Sequence, residues 1–434
     1  MHLWTNNRIV ISTIVILLGT LLMMAFGAFF WLQDAADNSG LANVTWDYGV
    51  ALLWALLILI FIAFWPITDR ERIVLMVLWI ARIGVTLGFM LFYESYYPPL
   101  DPISYFKRGI NEIAPLDCFT FSNGTSNVNG LAALHNLVIP ESYHAMKLTW
   151  ALLGLVAVYF FYRAACLFLG YRDIRVLYLL GLFPSILFWS SFLGKDPIVL
   201  LGIALYAFGV VGFFRHRRAG YLWPLGLGIL LAAFIRMWLA FILLLPLGVF
   251  FVIGHQSVMR RILLVLLGVP AFVLAVQSFS EKFQLETTQD LVEQTDRLSQ
   301  SWAFGGSGQK IEGGFNSISG MVIFLPVGMF TALFRPLPGE ILNPFGLLAS
   351  AENALLLGML LWAIYKGRWR LIMSEPVIAW AVAVVIIWSA IYGFVSYQNL
   401  GSAFRFKLQV MPILLLVLVF LANRRRVAFV NNLG

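Results

Sequence analysis

Residues 183–209, FPSILFWSSFLGKDPIVLLGIALYAFG, place the charged pair Lys195 and Asp196 between two apolar runs. Runs of this length and composition favour membrane-spanning helices. Charged side chains beside such helices are costly unless they lie at an interface, are paired or line a wet cavity. Pro197 is a favoured residue in the first turn of a helix. The stretch therefore predicts a short turn at a membrane surface, with a new helix beginning near Pro197.

The rest of the chain has the same apolar character. Of its 434 residues, 61% are hydrophobic and only 12% are charged, whereas a soluble protein has roughly 25% charged residues. We therefore predict an all-α integral membrane protein that forms a single polytopic domain over residues 1–434. The first apolar run is too long for a cleavable signal sequence and is expected to be an uncleaved helix.

The apolar runs predict about twelve spanning helices. They lie near 9–31, 50–66, 73–93, 148–169, 176–192, 197–214, 221–235, 238–254, 262–278, 344–365, 376–396 and 408–422. The segment 319–334 does not fit a further crossing, so we expect a re-entrant or interfacial hairpin broken at Pro326. Two larger connections, 94–147 and 279–318, fall on one side of the membrane.

The distribution of basic residues predicts the orientation. Basic connections such as RHRR (215–218) and KGRWR (366–370) lie on the side opposite to the two larger connections. The positive-inside rule then places both termini in the cytoplasm and the larger connections outside, in a bacterial inner (plasma) membrane. The net charge of +8 follows from this asymmetry, so no nucleic-acid partner is expected. TQDLVEQTDRLSQSW (288–302) predicts an amphipathic helix on the outer surface.

Ionisable residues gather on the predicted outer side. Arginine suits phosphate oxygens because its planar fork donates two hydrogen bonds, and a nearby carboxylate can take the proton of a sugar hydroxyl. We expect Asp101 to be the base, with Asp196 and Glu340 as alternatives. Asp196 is expected to be compensated by its neighbour Lys195. The candidate substrate- and phosphate-binding cations are Lys195, Arg236, Arg335, Arg405 and Lys407.

Other interpretations stay open at this point. The outer cations could be interfacial anchors. Arg82 and Glu352 lie deeper in apolar runs, where they could pair with each other or mark the path of a transporter or flippase for a lipid-linked saccharide. The chain could also be a non-catalytic subunit that docks a partner through 279–318. We expect no metal or other cofactor, because the histidines and two cysteines lack metal-ligand spacing.

Three stretches carry a family resemblance. Residues 183–209 resemble a segment of bacterial polytopic envelope-polysaccharide proteins of the GT-C glycosyltransferase type. DPISYFKRG (101–109) is similar to the Asp-x-x-x-Tyr pattern found there, which adds Tyr105 to the candidate site. GSAFRFKLQVMPILLLVLVFLA (401–422) is similar to the Arg-then-Pro start of the last helix in GT-C enzymes and O-antigen polymerases.

The resemblance implies a GT-C-like fold and a function. A membrane glycosyltransferase or repeat-unit polymerase would use a polyprenyl-phosphate- or polyprenyl-pyrophosphate-linked saccharide at the outer face. Membrane lipid and other envelope polysaccharide assembly proteins would be its further partners. GT-C enzymes usually carry their catalytic acid in the first external loop, where this sequence offers Asp34, Asp37 and Asp47, whereas Asp101 lies in the second.

Overall fold

The computed structural model of the chain is predominantly helical. It describes residues 43–252 apart from 98–100, 113 and 122, then 287–301, 303, 307–309, 317–366 and 370–422, with Ile16, Gly19 and scattered positions between 262 and 281. An isolated bridge joins Gly308 and Asn399, and these described residues form no named strand.

The chain divides into two compact units. Unit 1 comprises Met1–Arg163, Asp173–Gly209 and Leu222–Arg236, and unit 2 comprises Ala164–Arg172, Val210–Tyr221 and Met237–Gly434. The helices up to residue 236 are α1 Val44–Ala63, α2 Asp69–Glu94, α3 Asp101–Asn111, α4 Gly124–Val138, α5 Tyr143–Leu169, α6 Ile174–Leu182, α7 Pro184–Trp189, α8 Lys195–His216 and α9 Leu222–Ile235. Those after it are α10 Leu239–Gly248, α11 Val249–Val252, α12 Thr288–Ser301, α13 Ile318–Phe334, α14 Pro344–Tyr365, α15 Arg370–Ser374, α16 Pro376–Ser396, α17 Leu400–Gln409 and α18 Met411–Ala422.

Six of these helices are long and apolar enough to cross a membrane, namely α1, α2, α5, α8, α14 and α16. The pair α17 and α18, bent by 73°, would make a seventh span among the described residues. The class of helical membrane protein is thus confirmed, whereas the count of about twelve spans stays a prediction. The predicted spans near 9–31 and 262–278 fall largely outside the described residues.

Two predicted spans are interrupted. The run 176–192 breaks between α6 and α7, where Phe183 is extended and Pro184 begins the next helix. A residue before proline is pushed out of the helical region by the proline ring, which accounts for the break. In α2, residues Val85–Phe89 form a π-helical turn, and such turns are frequent at functional sites.

The segment 319–334 is one helix, so the prediction of a hairpin broken at Pro326 is wrong. α13 continues through Pro326 and packs along α16. The two helices meet at Gly328 and Gly393, where a Cβ added to Gly393 would lie 2.6 Å from the carbonyl carbon of Gly328. Small residues allow helix backbones to approach this closely. This packing supports the helix where the proline removes one of its hydrogen bonds.

The two larger connections contain helices of their own. Within 94–147, α3 and α4 pack against each other, with Gly109 held against Ala132. Within 279–318, the predicted amphipathic helix is confirmed as α12. Its buried Ser299 donates a hydrogen bond to the Tyr397 hydroxyl at 3.3 Å.

The glycine contact between α13 and α16 predicts a stability effect. Gly393→Ala should force the two backbones apart and lower the free energy of unfolding by about 1–3 kcal/mol. Gly358→Ala in α14 is the matched control, because a Cβ there meets no atom within 4 Å. Unfolding of the purified variants in the same detergent measures both effects. Equal stability of the two variants would show that the glycine contact is unimportant.

Candidate functional site

Asp196 and Arg236 form a buried ion pair in unit 1. Asp196 lies in the first turn of α8 and is 2% exposed, and its Oδ1 is 3.7 Å from Nη2 of Arg236, which directly follows α9. Lys195 instead donates a hydrogen bond from Nζ to Thr125 Oγ1 at 2.7 Å. Asp196 is therefore paired with Arg236, and the expected compensation by Lys195 stays a prediction. Consecutive residues of a helix do not face each other, and α8 already begins at Lys195 rather than at Pro197.

A second buried pair joins α1 to α5. The carboxylate of Asp47 contacts His144 Nδ1, and both side chains are buried. A carboxylate can only accept a hydrogen bond, so the proton of the His144 imidazole lies on Nδ1. Its Nε2 atom then carries a lone pair and can accept a hydrogen bond. Nε2 is buried and makes no hydrogen bond among the described residues. Ser142 fixes the local geometry by donating a hydrogen bond to the Asp47 carbonyl at 2.9 Å.

A third pair joins α2 to α5, one turn beyond His144. Lys147 Nζ lies 2.9 Å from Glu94 Oε1 and 3.0 Å from Oε2. The Tyr143 hydroxyl also donates to Glu94 Oε1 at 2.8 Å. Lys147 is fully buried, so Glu94 supplies the charge and the acceptors that a lysine inside the protein requires.

The sequence interpretation missed most of these residues. It considered His144 only as a metal ligand and did not single out Glu94 or Lys147. The available signal was their spacing, since His144 and Lys147 are three residues apart at the start of an apolar run and therefore share a helix face. Glu94 lies about 50 residues from Lys147 in the chain, and Asp47 lies 97 residues from His144. A local sequence pattern does not reach that far.

Asp101 is more exposed than Asp47, Glu94 and Asp196. It is the first residue of α3 and is exposed. Tyr105, one turn later, is 5% exposed. α3 packs on α4, so the helix fixes the backbone of Asp101 while its side chain reaches solvent.

In unit 2, Arg335 and Glu340 form an ion pair at the end of α13. Arg335 Nη2 lies 2.6 Å from Glu340 Oε1, and Arg335 Nε donates to the same oxygen at 2.7 Å. Glu340 Oε2 accepts from the Leu337 amide at 2.6 Å. Burial alone would raise the pKa of Glu340, but the hydrogen bonds and the charge of Arg335 outweigh it and lower the pKa below its usual value.

Lys407 is connected to this pair through Asn353 of α14. It lies at the bend between α17 and α18, is fully buried and contacts Asn353 Oδ1. Asn353 Nδ2 donates to the carbonyl of Pro336 at 3.0 Å. Glu352 acts electrostatically on Lys407. Arg405, two residues earlier in α17, is half-buried.

The structure thus gathers the predicted residues within each unit separately. In unit 1 it pairs Asp196 with Arg236. In unit 2 it pairs Arg335 with Glu340 and connects them to Lys407. The deeper Arg82, considered above as a partner for Glu352, donates from Nη1 to Ser191 Oγ at 2.8 Å. Comparison with family models, with curated proteins and with solved structures found no match to this chain.

The Asp196–Arg236 pair predicts a strong asymmetry between single and double variants. Arg236→Leu leaves a buried carboxylate uncompensated and should lower the free energy of unfolding by about 3–5 kcal/mol. The double variant Asp196→Leu with Arg236→Leu should recover most of that loss. The control is Arg297→Ala, which breaks the exposed Arg297–Glu293 pair and should cost less than about 1 kcal/mol. A double variant as unstable as the single one would contradict the pairing.

Proposed function

We propose that this protein is a membrane glycosyltransferase or polysaccharide polymerase. It would act on polyprenyl-phosphate- or polyprenyl-pyrophosphate-linked sugars at the external face of a bacterial inner membrane, in envelope polysaccharide synthesis. One observation carries the proposal. Three carboxylates of unit 1 are paired with cations or imidazole, namely the buried Asp47 and Asp196 and the half-buried Glu94, whereas Asp101 is exposed on a packed helix.

The exposure of Asp101 suits a general base. A base must come within hydrogen-bond distance of the hydroxyl whose proton it takes, and an exposed carboxylate is reachable by an acceptor sugar. Asp196 would first have to separate from Arg236 inside the protein, which is costly. We therefore assign the proton transfer to Asp101 and a supporting role to Asp196. Tyr105, one turn later in the same helix, is buried and anchors that helix.

The candidate cations also differ in how easily a ligand can reach them. The guanidinium of Arg335 is already engaged by Glu340, and Lys407 is fully buried against Asn353. Lys195 in unit 1 and Arg405 in unit 2 are only half-buried, so each can reach a ligand. We assign contact with a carrier phosphate to Lys195 within unit 1, and Arg405 is the corresponding candidate within unit 2, because both side chains can donate several hydrogen bonds to phosphate oxygens.

A transporter or flippase for a lipid-linked saccharide is the second candidate. The observation in its favour is Arg82, which is fully buried in α2 and whose Nε and Nη2 make no hydrogen bond among the described residues. Ionisable groups within spanning helices mark substrate or proton paths in many transporters. Loss of the gene separates the two candidates. The lipid-linked saccharide should accumulate in the outer leaflet if the lost protein is a transferase, and in the cytoplasmic leaflet if it is a flippase.

Substitution of Asp101 tests the proposed base directly. Asp101→Asn keeps the size of the side chain but removes its basicity, so sugar transfer should fall about 10²–10⁴-fold while the protein still inserts and binds carrier lipid. Asp117→Asn is the control, since Asp117 is an exposed acid of the same connection. Transfer of labelled sugar from carrier lipid in isolated membranes gives the rates. Equal rates in the two variants would remove Asp101 from the mechanism.

A further inference from the structure

We propose that unit 2 contains a binding pocket for the hydroxyl groups of a neutral sugar, in the open cavity between residues 307–309 and 340–343. The inference rests on the proposed function for the choice of a sugar as the ligand. It also assigns Glu340, predicted above as a possible base, to the wall of this pocket, and Arg335, predicted above to bind phosphate, to the support of that wall. The sugar portion of the carrier lipid or of the acceptor would be its occupant.

The cavity has a volume suitable for a small ligand, and backbone hydrogen bonds hold one of its walls in place. Its volume is about 350 Å³, and Leu400 completes the lining. Ligand pockets range over about 300–1,000 Å³, so this one suits a ligand of one or two sugar rings. Two backbone hydrogen bonds hold the wall 307–309 to the residues before α17, from Gln309 N to Gln398 O at 2.6 Å and from Leu400 N to Ser307 O at 3.1 Å.

The charges of the pocket disfavour an anion. Glu340 lines the cavity, and its lowered pKa keeps it ionised at neutral pH. The guanidinium of Arg335 donates to Glu340 and, at 3.4 Å, to Gln309 Oε1. A phosphate in the cavity would therefore be repelled by the Glu340 carboxylate, while the guanidinium of Arg335 is already occupied by that carboxylate. A neutral ligand meets no such repulsion, and the carboxylate still has lone pairs for hydroxyl donors.

Two side-chain amides supply hydrogen-bond donors that complement the carboxylate acceptor of Glu340. Gln309 Oε1 accepts from Arg335, and Asn343 Oδ1 accepts from the Gly346 amide at 2.7 Å as the N-cap of α14. Each oxygen is thereby fixed by its own partner, which also fixes the NH₂ group as the remaining polar end of the side chain. A wall that offers amide donors beside a carboxylate acceptor matches the hydroxyl groups of a sugar, which both donate and accept.

The test uses two substitutions that keep the oxygen making each internal contact and replace the donor NH₂ group by a carboxylate oxygen, with one added negative charge. Asn343→Asp retains the oxygen that caps α14, and Gln309→Glu retains the oxygen that faces Arg335. Binding of glucose, galactose and N-acetylglucosamine to the full-length protein in lipid nanodiscs is measured by saturation-transfer NMR, with inorganic phosphate as competitor. Each substitution should weaken the binding of the preferred sugar about tenfold, roughly the effect of one lost hydrogen bond. Phosphate should not compete.

Asn43→Asp is the matched control, because Asn43 caps α1 through the same kind of hydrogen bond, to the Trp46 amide, and lies in unit 1. It should bind the sugar like the unsubstituted protein. Unchanged sugar binding in both Asn343→Asp and Gln309→Glu, displacement of the sugar by phosphate, or no binding of any of the sugars would each overturn the inference.

The same measurements separate this inference from the proposed function. Asp101→Asn should bind sugar normally, because Asp101 is not part of the pocket. If the protein transfers sugar but Asn343→Asp and Gln309→Glu both bind it normally, the pocket is wrong and the proposed function stands. If the pocket binds sugar but the protein transfers none, the pocket stands and the proposed function is wrong.

Discussion

Charged side chains buried among apolar helices must be compensated, and this requirement organises the helix ends of unit 1. An isolated buried charge costs several kcal/mol. Here each pair joins segments that are far apart in the chain. Asp47 on α1 meets His144 on α5, Glu94 at the end of α2 meets Lys147 on α5, and Asp196 on α8 meets Arg236 after α9. Helices that could otherwise slide on apolar surfaces are thereby fixed in register.

This pairing also separates structural charges from those available to a ligand. A carboxylate held by a buried cation cannot readily leave it, whereas Asp101 on α3 is exposed. Unit 2 shows the same division, since the guanidinium of Arg335 is engaged by Glu340 while Arg405 is only half-buried. The proposed chemistry depends on this division, because proton transfer and phosphate binding both need groups that a substrate can reach.

The sequence predicts the class of the fold well and the contacts of the site poorly. Apolar runs of spanning length reveal α1, α2, α5, α8, α14 and α16, because length and composition alone specify such helices. The broken run at Pro184 and the intact helix through Pro326 have the same kind of residue but opposite outcomes. The difference lies in tertiary packing, since Gly328 and Gly393 bring α13 and α16 together, and no local rule contains that information.

The sequence alone also failed to predict the partners of the ionisable residues. Asp196 has Lys195 beside it in the sequence, yet its salt bridge goes to Arg236, 40 residues away by the numbering. Glu340 is only five residues from Arg335, so that pair could have been inferred from the sequence. Recognising it would have removed Arg335 from the phosphate-binding residues before the structure was known.

Reconstitution of the purified protein tests the central claim most directly. Proteoliposomes would receive a polyprenyl-phosphate-linked radiolabelled sugar and an acceptor glycolipid in the same outer leaflet. The account predicts a glycosidic product that contains the label, formed without movement of the donor between leaflets. Movement of the labelled lipid to the inner leaflet with no glycosidic product would contradict it and would identify the protein as a transporter.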